Sequence, residues 1–123
     1  MAEKIEVIHS PRVKIEGKRG LGTESVLESS VANVYVTKFA PGAATPWHHH
    51  GSRTSFGYVV TGNLVMEFGP RGKNAVRMST GDFFSIPAGL IHRDLNRSRR
   101  QTVLATFSVG SGPFSTLVDG PIS

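Results

Sequence analysis

Three consecutive histidines, His48, His49 and His50, are the residues of this sequence best suited to chemistry. They are three of the five histidines in the chain, which contains no cysteine. In a β-strand, side chains at positions i and i+2 project to the same side, so His48 and His50 share a face while His49 points away. Two imidazoles at this spacing can reach one metal ion, with bonds of roughly 2.0–2.1 Å to zinc and similar metals. The segment therefore predicts part of a metal site.

A second segment, residues 81–96, carries a fourth histidine, His92. His92 follows Pro87-Ala88-Gly89, a rigid turn that can fix where the histidine begins. Two histidines alone hold a metal ion poorly, so we expect His92 to be the third ligand. Neutral imidazole suits iron, nickel, copper and zinc. The sequence thus predicts that residues 42–62 and residues 81–96 meet around a divalent ion.

The spacing within both segments resembles the two motifs of the cupin family. The first motif runs Gly, five residues, His-x-His, three or four residues, Glu, six residues, Gly; the second runs Gly, five residues, Pro-x-Gly, two residues, His, three residues, Asn. The sequence supplies these positions, apart from the Glu, as Gly42, His48, His50 and Gly62, and as Gly81, Pro87, Gly89, His92 and Asn96. The resemblance implies one small antiparallel jelly-roll barrel over residues 1–123, with a metal-binding core at about residues 34–109.

The sequence departs from the family pattern at the metal-binding glutamate. That residue would fall at Ser55, or at Thr54 with the shorter spacing, and neither is a carboxylate. Glu67 is a poor substitute, because strand alternation places it opposite Leu64 and Met66 and toward solvent. The resemblance then implies a site of three histidines, His48, His50 and His92. Fe²⁺ is the first choice of ion, and Mn²⁺, Ni²⁺ and Zn²⁺ remain alternatives.

Residues near the histidines are secondary candidates. Ser55 could hydrogen-bond a metal-bound water, and Arg53 could bind an acidic substrate, although a solvated loop arginine is the plainer interpretation. Trp47 and Phe84 could line an apolar pocket or belong to the core. Asn96 is expected to be structural, since asparagine suits turns. Three aspartates are expected in turns, away from the chemistry: Asp82, Asp94 and Asp119.

The rest of the chain predicts short β-strands rather than helices. Its 14 glycines and 7 prolines separate runs rich in Val, Ile, Phe and Thr, a pattern typical of an all-β sandwich or barrel. A half-buried strand is predicted at residues 12–16, and residues 24–28 are ambiguous. Further strands are predicted at residues 31–39, 54–60, 64–68, 75–78, 83–86, 90–95 and 102–109. The tail, residues 110–123, is expected to be extended.

Two of these strands raise the question of which face is buried. In residues 54–60, Phe56, Tyr58 and Val60 lie opposite Ser55. If Ser55 faces the barrel interior, the three apolar side chains need a cover, which could be a second sheet or, as we favour, the interface of a homodimer. In residues 102–109 we expect the apolar set to face inward: Val103, Ala105, Phe107 and Val109.

Composition limits the remaining possibilities. The length of 123 residues suits one domain, and the net charge of +5 is spread except for the four arginines at 93, 97, 99 and 100, which we interpret as a solvated turn. No nucleic-acid-binding motif is visible, and no run approaches the ~18 apolar residues of a membrane span. The charged N-terminus does not resemble a signal peptide, so a cytoplasmic protein without membrane or nucleic-acid partners is expected.

The leading functional hypothesis is a small dioxygenase or other oxidoreductase that acts on a small oxygen-bearing molecule at the three-histidine site. Two alternatives stay open. The barrel could be a non-catalytic module that binds a small molecule or a metal, or it could be an isomerase or lyase that uses the metal only as a Lewis acid. The fold alone cannot choose among them, because one fold hosts many chemistries.

Overall fold

In a computed structural model, which describes residues 4–123, the chain forms two antiparallel sheets that face each other. The strands are β1 (Leu21–Glu28), β2 (Ala32–Phe39), β3 (His48–His49), β4 (Thr54–Thr61), β5 (Asn63–Phe68), β6 (Asn74–Ser79), β7 (Phe83–Ile86), β8 (His92–Leu95), β9 (Thr102–Val109) and β10 (Thr116–Leu117). One sheet has the order β1-β2-β9-β4-β7 and the other β10-β3-β8-β5-β6. The prediction of an all-β jelly roll is confirmed. Within residues 4–123, no helix has the length and hydrophobicity needed to cross a membrane.

Tight turns at glycine link the strands of the two sequence motifs. Gly42, Gly62, Gly81 and Gly89 all have positive φ, between 76° and 100°. At Gly62 a side chain would also collide with Thr102, since an added Cβ would lie 2.7 Å from the Thr102 Cα. Glycine alone satisfies both demands at low cost, which explains why the motif places it there.

The strand at residues 102–109 is present, but the prediction of its buried face was wrong. In β9 the buried residues are Thr102, Leu104, Thr106 and Ser108, and Phe107 is exposed. The register explains the inversion, because Ser55 of β4 lies opposite Ser108 and Phe56 lies opposite Phe107. Apart from Leu104, the inward-facing residues of this strand are therefore polar, and the set predicted to face inward lies on the outer side of the sheet.

The N-terminal prediction also needs correction. Residues 12–16 do not form a strand; only an isolated bridge joins Glu16 to Leu21. Val13 is buried and Ile15 is exposed, so the segment contributes one buried apolar side chain to the fold instead of a continuous apolar face. The ambiguous residues 24–28 belong to β1, which begins at Leu21 and pairs with β2.

An apolar core closes one end of the space between the sheets. It consists of Phe39, Ala43, Val59, Leu64, Met66, Met78, Ile86 and Leu104. Asn96 ties the connections beside it together: the buried side-chain amide donates hydrogen bonds to the carbonyls of Phe39, Ala40 and Arg100 at 3.1, 3.2 and 2.8 Å. Asn96 thus has the structural role expected of it, and the opposite end of the barrel is left for the histidines.

Candidate metal centre

The structure brings His48, His50 and His92 together inside the barrel. β3 and β8 are adjacent antiparallel strands, and their register sets His48 opposite His92. The ring centroids of the three imidazoles lie 4.3–5.1 Å apart. One nitrogen from each ring lies within 4.8 Å of the other two, and all three residues are buried. His49, on the other side of β3, accepts a hydrogen bond at Nδ1 from the Gly51 N–H and takes no part in the cluster.

Each histidine of the cluster uses Nδ1 to bind a backbone carbonyl. His48 donates to Pro46 at 2.7 Å, His50 to Phe114 at 3.0 Å and His92 to Leu90 at 2.9 Å. A carbonyl oxygen can only accept, so in the neutral rings the proton lies on Nδ1. This leaves the Nε2 lone pair of every ring available. Such backbone hydrogen bonds fix the tautomer and orientation of metal-binding histidines.

Burial keeps two of these imidazoles neutral. It lowers the pKa of His92 from 6.5 to about 4, and repulsion from His48 adds to the effect. Burial also lowers the pKa of His50, although the hydrogen bond to the Phe114 carbonyl opposes the change. Because only a neutral imidazole can bind a metal, these two rings are ready to ligate at neutral pH without losing a proton first.

Other polar groups buried beside the histidines lack partners. Three buried side-chain atoms have no hydrogen-bond partner within residues 4–123: Ser55 Oγ, His92 Nε2 and Asp94 Oδ1. Burial raises the pKa of the Asp94 carboxyl, and the nearby His48 and His50 oppose the rise. Burial likewise raises the pKa of the Tyr35 hydroxyl to about 12. Buried polar atoms without partners are rare in folded proteins, so their concentration here indicates a ligand site.

His48 and His50 line a cavity of about 170 Å³. Core residues, among them Phe39 and Leu104, form part of its wall, while the polar side of the wall includes Tyr35, Thr106 and Asp94. Pockets for drug-sized ligands are roughly 300–1,000 Å³, so this cavity suits a smaller molecule. A second cavity, of about 370 Å³, shares Thr23, Tyr35 and Phe114 with the first. The two cavities therefore adjoin each other along this wall.

The secondary candidates occupy different positions. Ser55 is fully buried in β4, facing the barrel interior. The Arg53 side chain forms hydrogen bonds within the protein. Its Nε donates to the Gly112 carbonyl at 3.0 Å, and its Nη1 donates to Asn33 Oδ1 and to Ser108 Oγ, each at 3.3 Å. Arg53 therefore ties the tail to the barrel rim, and it lines the second cavity rather than the histidine cavity.

Glu67 lies away from the histidine cavity, but it is not simply solvated. Its carboxylate forms ion pairs with Arg93 at 2.7 Å and with Arg97 at 2.9 Å, and the side chain is only 15% exposed. Arg93 in turn stacks over Trp47, 4.9 Å from the ring centroid. Two of the four clustered arginines thus belong to an ordered network, which corrects their interpretation as a purely solvated turn. Phe84 lines the cavity and packs against the core.

Sequence reasoning missed two contributors to the site. Asp94 was expected in a turn, although it falls within the strand predicted at residues 90–95. It lies in β8, two residues after His92, where the alternation already used for His48 and His50 would have placed it beside that histidine. The tail was expected only to be extended, yet β10 pairs with β3, and the Phe114 ring packs edge-on against Tyr35 at 4.7 Å. No local signal in a Gly- and Ser-rich tail could have indicated that pairing.

These residues fit a divalent transition metal. Three buried imidazoles present unprotonated nitrogens to one another, their orientations are fixed by backbone carbonyls, and the His92 Nε2 has no partner within the described residues. Facing lone pairs in a buried site repel unless a cation lies between them. His48, His50 and His92 are therefore the residues that could hold the ion, and nitrogen donors of this kind favour iron, nickel, copper or zinc.

Comparison with known proteins agrees with this architecture. The family model described as "Cupin domain" matches residues 35–109, which include both histidine segments and the strands around them. No curated protein matches the sequence. The matched region covers more than half of the chain and ends where β9 ends.

Solved structures share the fold at low sequence identity. An uncharacterised protein with a double-stranded β-helix domain from Klebsiella pneumoniae aligns with a TM-score of 0.73 at 18% identity, over 85% of this chain and 90% of that one. KdgF from Halomonas sp. aligns with a TM-score of 0.70 at 24% identity, over 89% and 96%. An oxalate oxidase in complex with the substrate analogue glycolate aligns with a TM-score of 0.76 at 20% identity, over 93% of this chain but 63% of the enzyme.

Proposed function

Because this chain belongs to the cupin family, we propose that it is a metal-dependent enzyme whose divalent ion is held by His48, His50 and His92. The observation that carries this proposal is the convergence of three buried imidazoles whose Nδ1 atoms are all engaged by backbone carbonyls. A histidine buried for packing alone does not need its second nitrogen left unpaired, whereas a ligand does.

The proposed substrate is a small, oxygen-bearing organic molecule. The cavity of about 170 Å³ limits its size, and the hydroxyls of Tyr35 and Thr106 offer hydrogen bonds to its oxygens. The related oxalate oxidase structure contains glycolate as a substrate analogue, which is a molecule of this class. Its identity with this chain is too low to carry the substrate over, so the likeness supports only the size and chemistry of the ligand.

The residues of the chain supply orientation and exclusion of water. The carbonyls of Pro46, Leu90 and Phe114 hold the three rings in place, so little reorganisation is needed when a ligand binds. Phe39 and Leu104 close the inner end of the cavity with apolar surface. A bound divalent ion would supply Lewis-acid polarisation of substrate oxygens and, if it is iron, one-electron chemistry toward O₂.

Within this class we propose a dioxygenase or related oxidoreductase that uses Fe²⁺, with Mn²⁺, Ni²⁺ and Zn²⁺ as the alternatives. The donor set of three imidazoles suits iron, which can carry out one-electron chemistry with O₂. The experiment is to load the protein anaerobically with Fe²⁺, add small diketones or hydroxy acids, and follow oxygen consumption. The parent protein should consume oxygen with a substrate of this class, and a His92→Ala variant should not.

The same assay separates the other hypotheses. Conversion of a substrate without oxygen uptake would replace the oxidoreductase by a metal-dependent isomerase or lyase. Ligand binding without conversion would make the barrel a binding module. Either result would contradict the proposed reaction while leaving the ligand set intact.

We also propose that two copies of the chain associate through the outer face of β4, β7 and β9. Phe56, Tyr58, Phe83 and Phe107 form a contiguous apolar surface there, with Phe83 81% exposed. Contiguous apolar patches on soluble proteins mark interaction sites. In a symmetric dimer, the same aromatic face of a second copy would pack against this one and bury both from water. A cytoplasmic location stays a prediction.

A further inference from the structure

The second cavity, of about 370 Å³, adjoins the histidine cavity but is not lined by the three histidines. Most of the residues around it have polar side chains, and within residues 4–123 its charged lining residues are Arg53 and Glu28. The two cavities share Tyr35 and Phe114 as a common wall. The metal centre therefore does not account for this polar cavity.

Polar side chains connect the two cavities along adjacent strands. β2 pairs with β9 so that Tyr35 lies opposite Thr106, and Asn33 lies opposite Ser108. Tyr35 and Thr106 line the histidine cavity, whereas Asn33 lines the second cavity. Residues two apart on one face of a strand are separated by about 6.4–6.8 Å. A ligand about 7 Å long could therefore extend from the first residue pair to the second.

The Arg53 side chain has a fixed orientation at the second pair. Its Nη1 donates hydrogen bonds to Asn33 Oδ1 and Ser108 Oγ, each at 3.3 Å, and its Nε donates to the Gly112 carbonyl at 3.0 Å. These three acceptors are neutral, and they leave Nη2 without an acceptor among residues 4–123. The planar guanidinium has five N–H donors in fixed directions, two of them on Nη2. Arg53 therefore presents oriented donors to an incoming acceptor.

The positive charge of Arg53 has no matching negative charge nearby. Within residues 4–123 its guanidinium forms no ion pair, whereas Arg93 and Arg97 both pair with Glu67. Glu28, the other charged residue of the cavity, is exposed, while Arg53 is partly buried. Salt and water screen a partly buried charge less than an exposed one, so the attraction of an anion to Arg53 outweighs its repulsion by Glu28.

We propose that the second cavity is a subsite for an anionic group of the substrate and that Arg53 binds this group. This inference rests on the proposed function, because it places the other end of the same molecule at the metal ion. The substrate is then an organic acid with ligand oxygens at one end and a carboxylate at the other. Four carbon–carbon bonds of about 1.5 Å, together with the terminal oxygens, span roughly the 7 Å between the two residue pairs, so a chain of about five carbons fits.

The test compares two acids of equal chain length, pentanedioate and pentanoate, which differ by one carboxylate. Both are titrated calorimetrically, at low ionic strength, into the Zn²⁺-loaded parent protein, Arg53→Gln, Arg53→Lys and the control Arg99→Gln. Arg99 is exposed in the turn before β9, so its variant makes the same change in net charge as Arg53→Gln but outside both cavities. Arg53→Lys keeps the charge and loses the planar group, and circular dichroism should show that every variant is folded.

The parent and Arg99→Gln should bind pentanedioate about 10–100-fold more tightly than pentanoate, the effect expected of a hydrogen bond between two charged groups. Arg53→Gln should bind the two acids with Kd values within about threefold of each other, and Arg53→Lys should retain part of the preference because its ammonium still attracts a carboxylate. Equal affinity of the parent for the two acids, or the parent's preference in Arg53→Gln, would overturn the subsite.

Titrations of the metal-free protein separate the subsite from the proposed function. Both acids should bind more weakly without Zn²⁺ if the substrate reaches the metal. Equal Kd values with and without Zn²⁺, together with a preference for pentanedioate that depends on Arg53, would support the subsite and contradict the proposed function. Weaker binding without Zn²⁺, with no dependence on Arg53, would support the metal centre and overturn the subsite.

Discussion

The buried imidazole of His92 should make the stability of the metal-free protein depend on pH. Its pKa falls from 6.5 to about 4 in the folded protein. Between these values the unfolded chain binds a proton that the folded protein excludes, so the free energy of unfolding decreases as the pH decreases. At about 1.4 kcal/mol per pKa unit, the full effect is about 3 kcal/mol, of which about 2 kcal/mol is lost between pH 7 and pH 5.

Asp94 acts in the opposite direction and must be removed from the comparison. Burial raises the pKa of its carboxyl, so the folded protein binds a proton more readily than the unfolded chain and gains stability as the pH decreases. The measurement therefore uses Asp94→Asn as the reference and Asp94→Asn/His92→Gln as the matched variant. Both keep His50, whose lowered pKa then contributes equally to the two profiles.

The assay is urea unfolding followed by the fluorescence of Trp47, the only tryptophan in the chain, with a chelator present from pH 7 to pH 4. The reference should lose about 2 kcal/mol more than the double variant between pH 7 and pH 5, and about 3 kcal/mol more by pH 4. Parallel profiles would refute the claim that His92 is buried as a neutral imidazole. A reference that loses less stability than the double variant would reverse the sign and refute it more strongly.

Three further changes test other parts of the structure. Phe107→Glu should convert the proposed homodimer to a monomer in sedimentation analysis, because it places a charge in the apolar outer face, whereas Val76→Glu on the other sheet should leave the dimer intact. Deletion of residues 113–123 removes the Phe114 carbonyl that orients His50, so metal affinity should fall about 10–100-fold with little loss of β-structure by circular dichroism; unchanged affinity would exclude a role for the tail in the site. Asn96→Ala leaves buried carbonyls without a donor and should reduce the free energy of unfolding by about 1–3 kcal/mol, a loss that the exposed control Asn63→Ala should not share.

The sequence predicted the parts of this fold that depend on local rules. The glycines at 42, 62, 81 and 89 mark turns with positive φ, and the β-branched runs mark β2, β4 and β9. The same local rule, that side chains alternate along a strand, correctly separated Ser55 from Phe56 in β4. These features follow from steric limits on each residue and its neighbours, so they need no knowledge of distant contacts.

The errors arose where tertiary context decides. In β9, equating the apolar face with the interior reversed the strand, because Thr102, Thr106 and Ser108 face inward and Phe107 lies on the outer surface. Residues 12–16 alternate like a strand but find no continuous partner strand. Asp94 was expected in a turn although it falls within the strand predicted at residues 90–95, so the alternation rule was not applied to it. The pairing of β10 with β3 joins residues far apart in sequence, and composition carries no signal for it.

The most direct test of the metal centre is the metal content of protein purified without added metal. Parent protein, His92→Ala and the control His49→Ala should be compared by elemental analysis, since His49 is adjacent to the cluster but does not face it. We predict near-stoichiometric divalent metal in the parent and in His49→Ala, and its loss in His92→Ala. Equal metal content in all three proteins, or no metal in the parent even after addition of iron, manganese, nickel or zinc, would contradict the account.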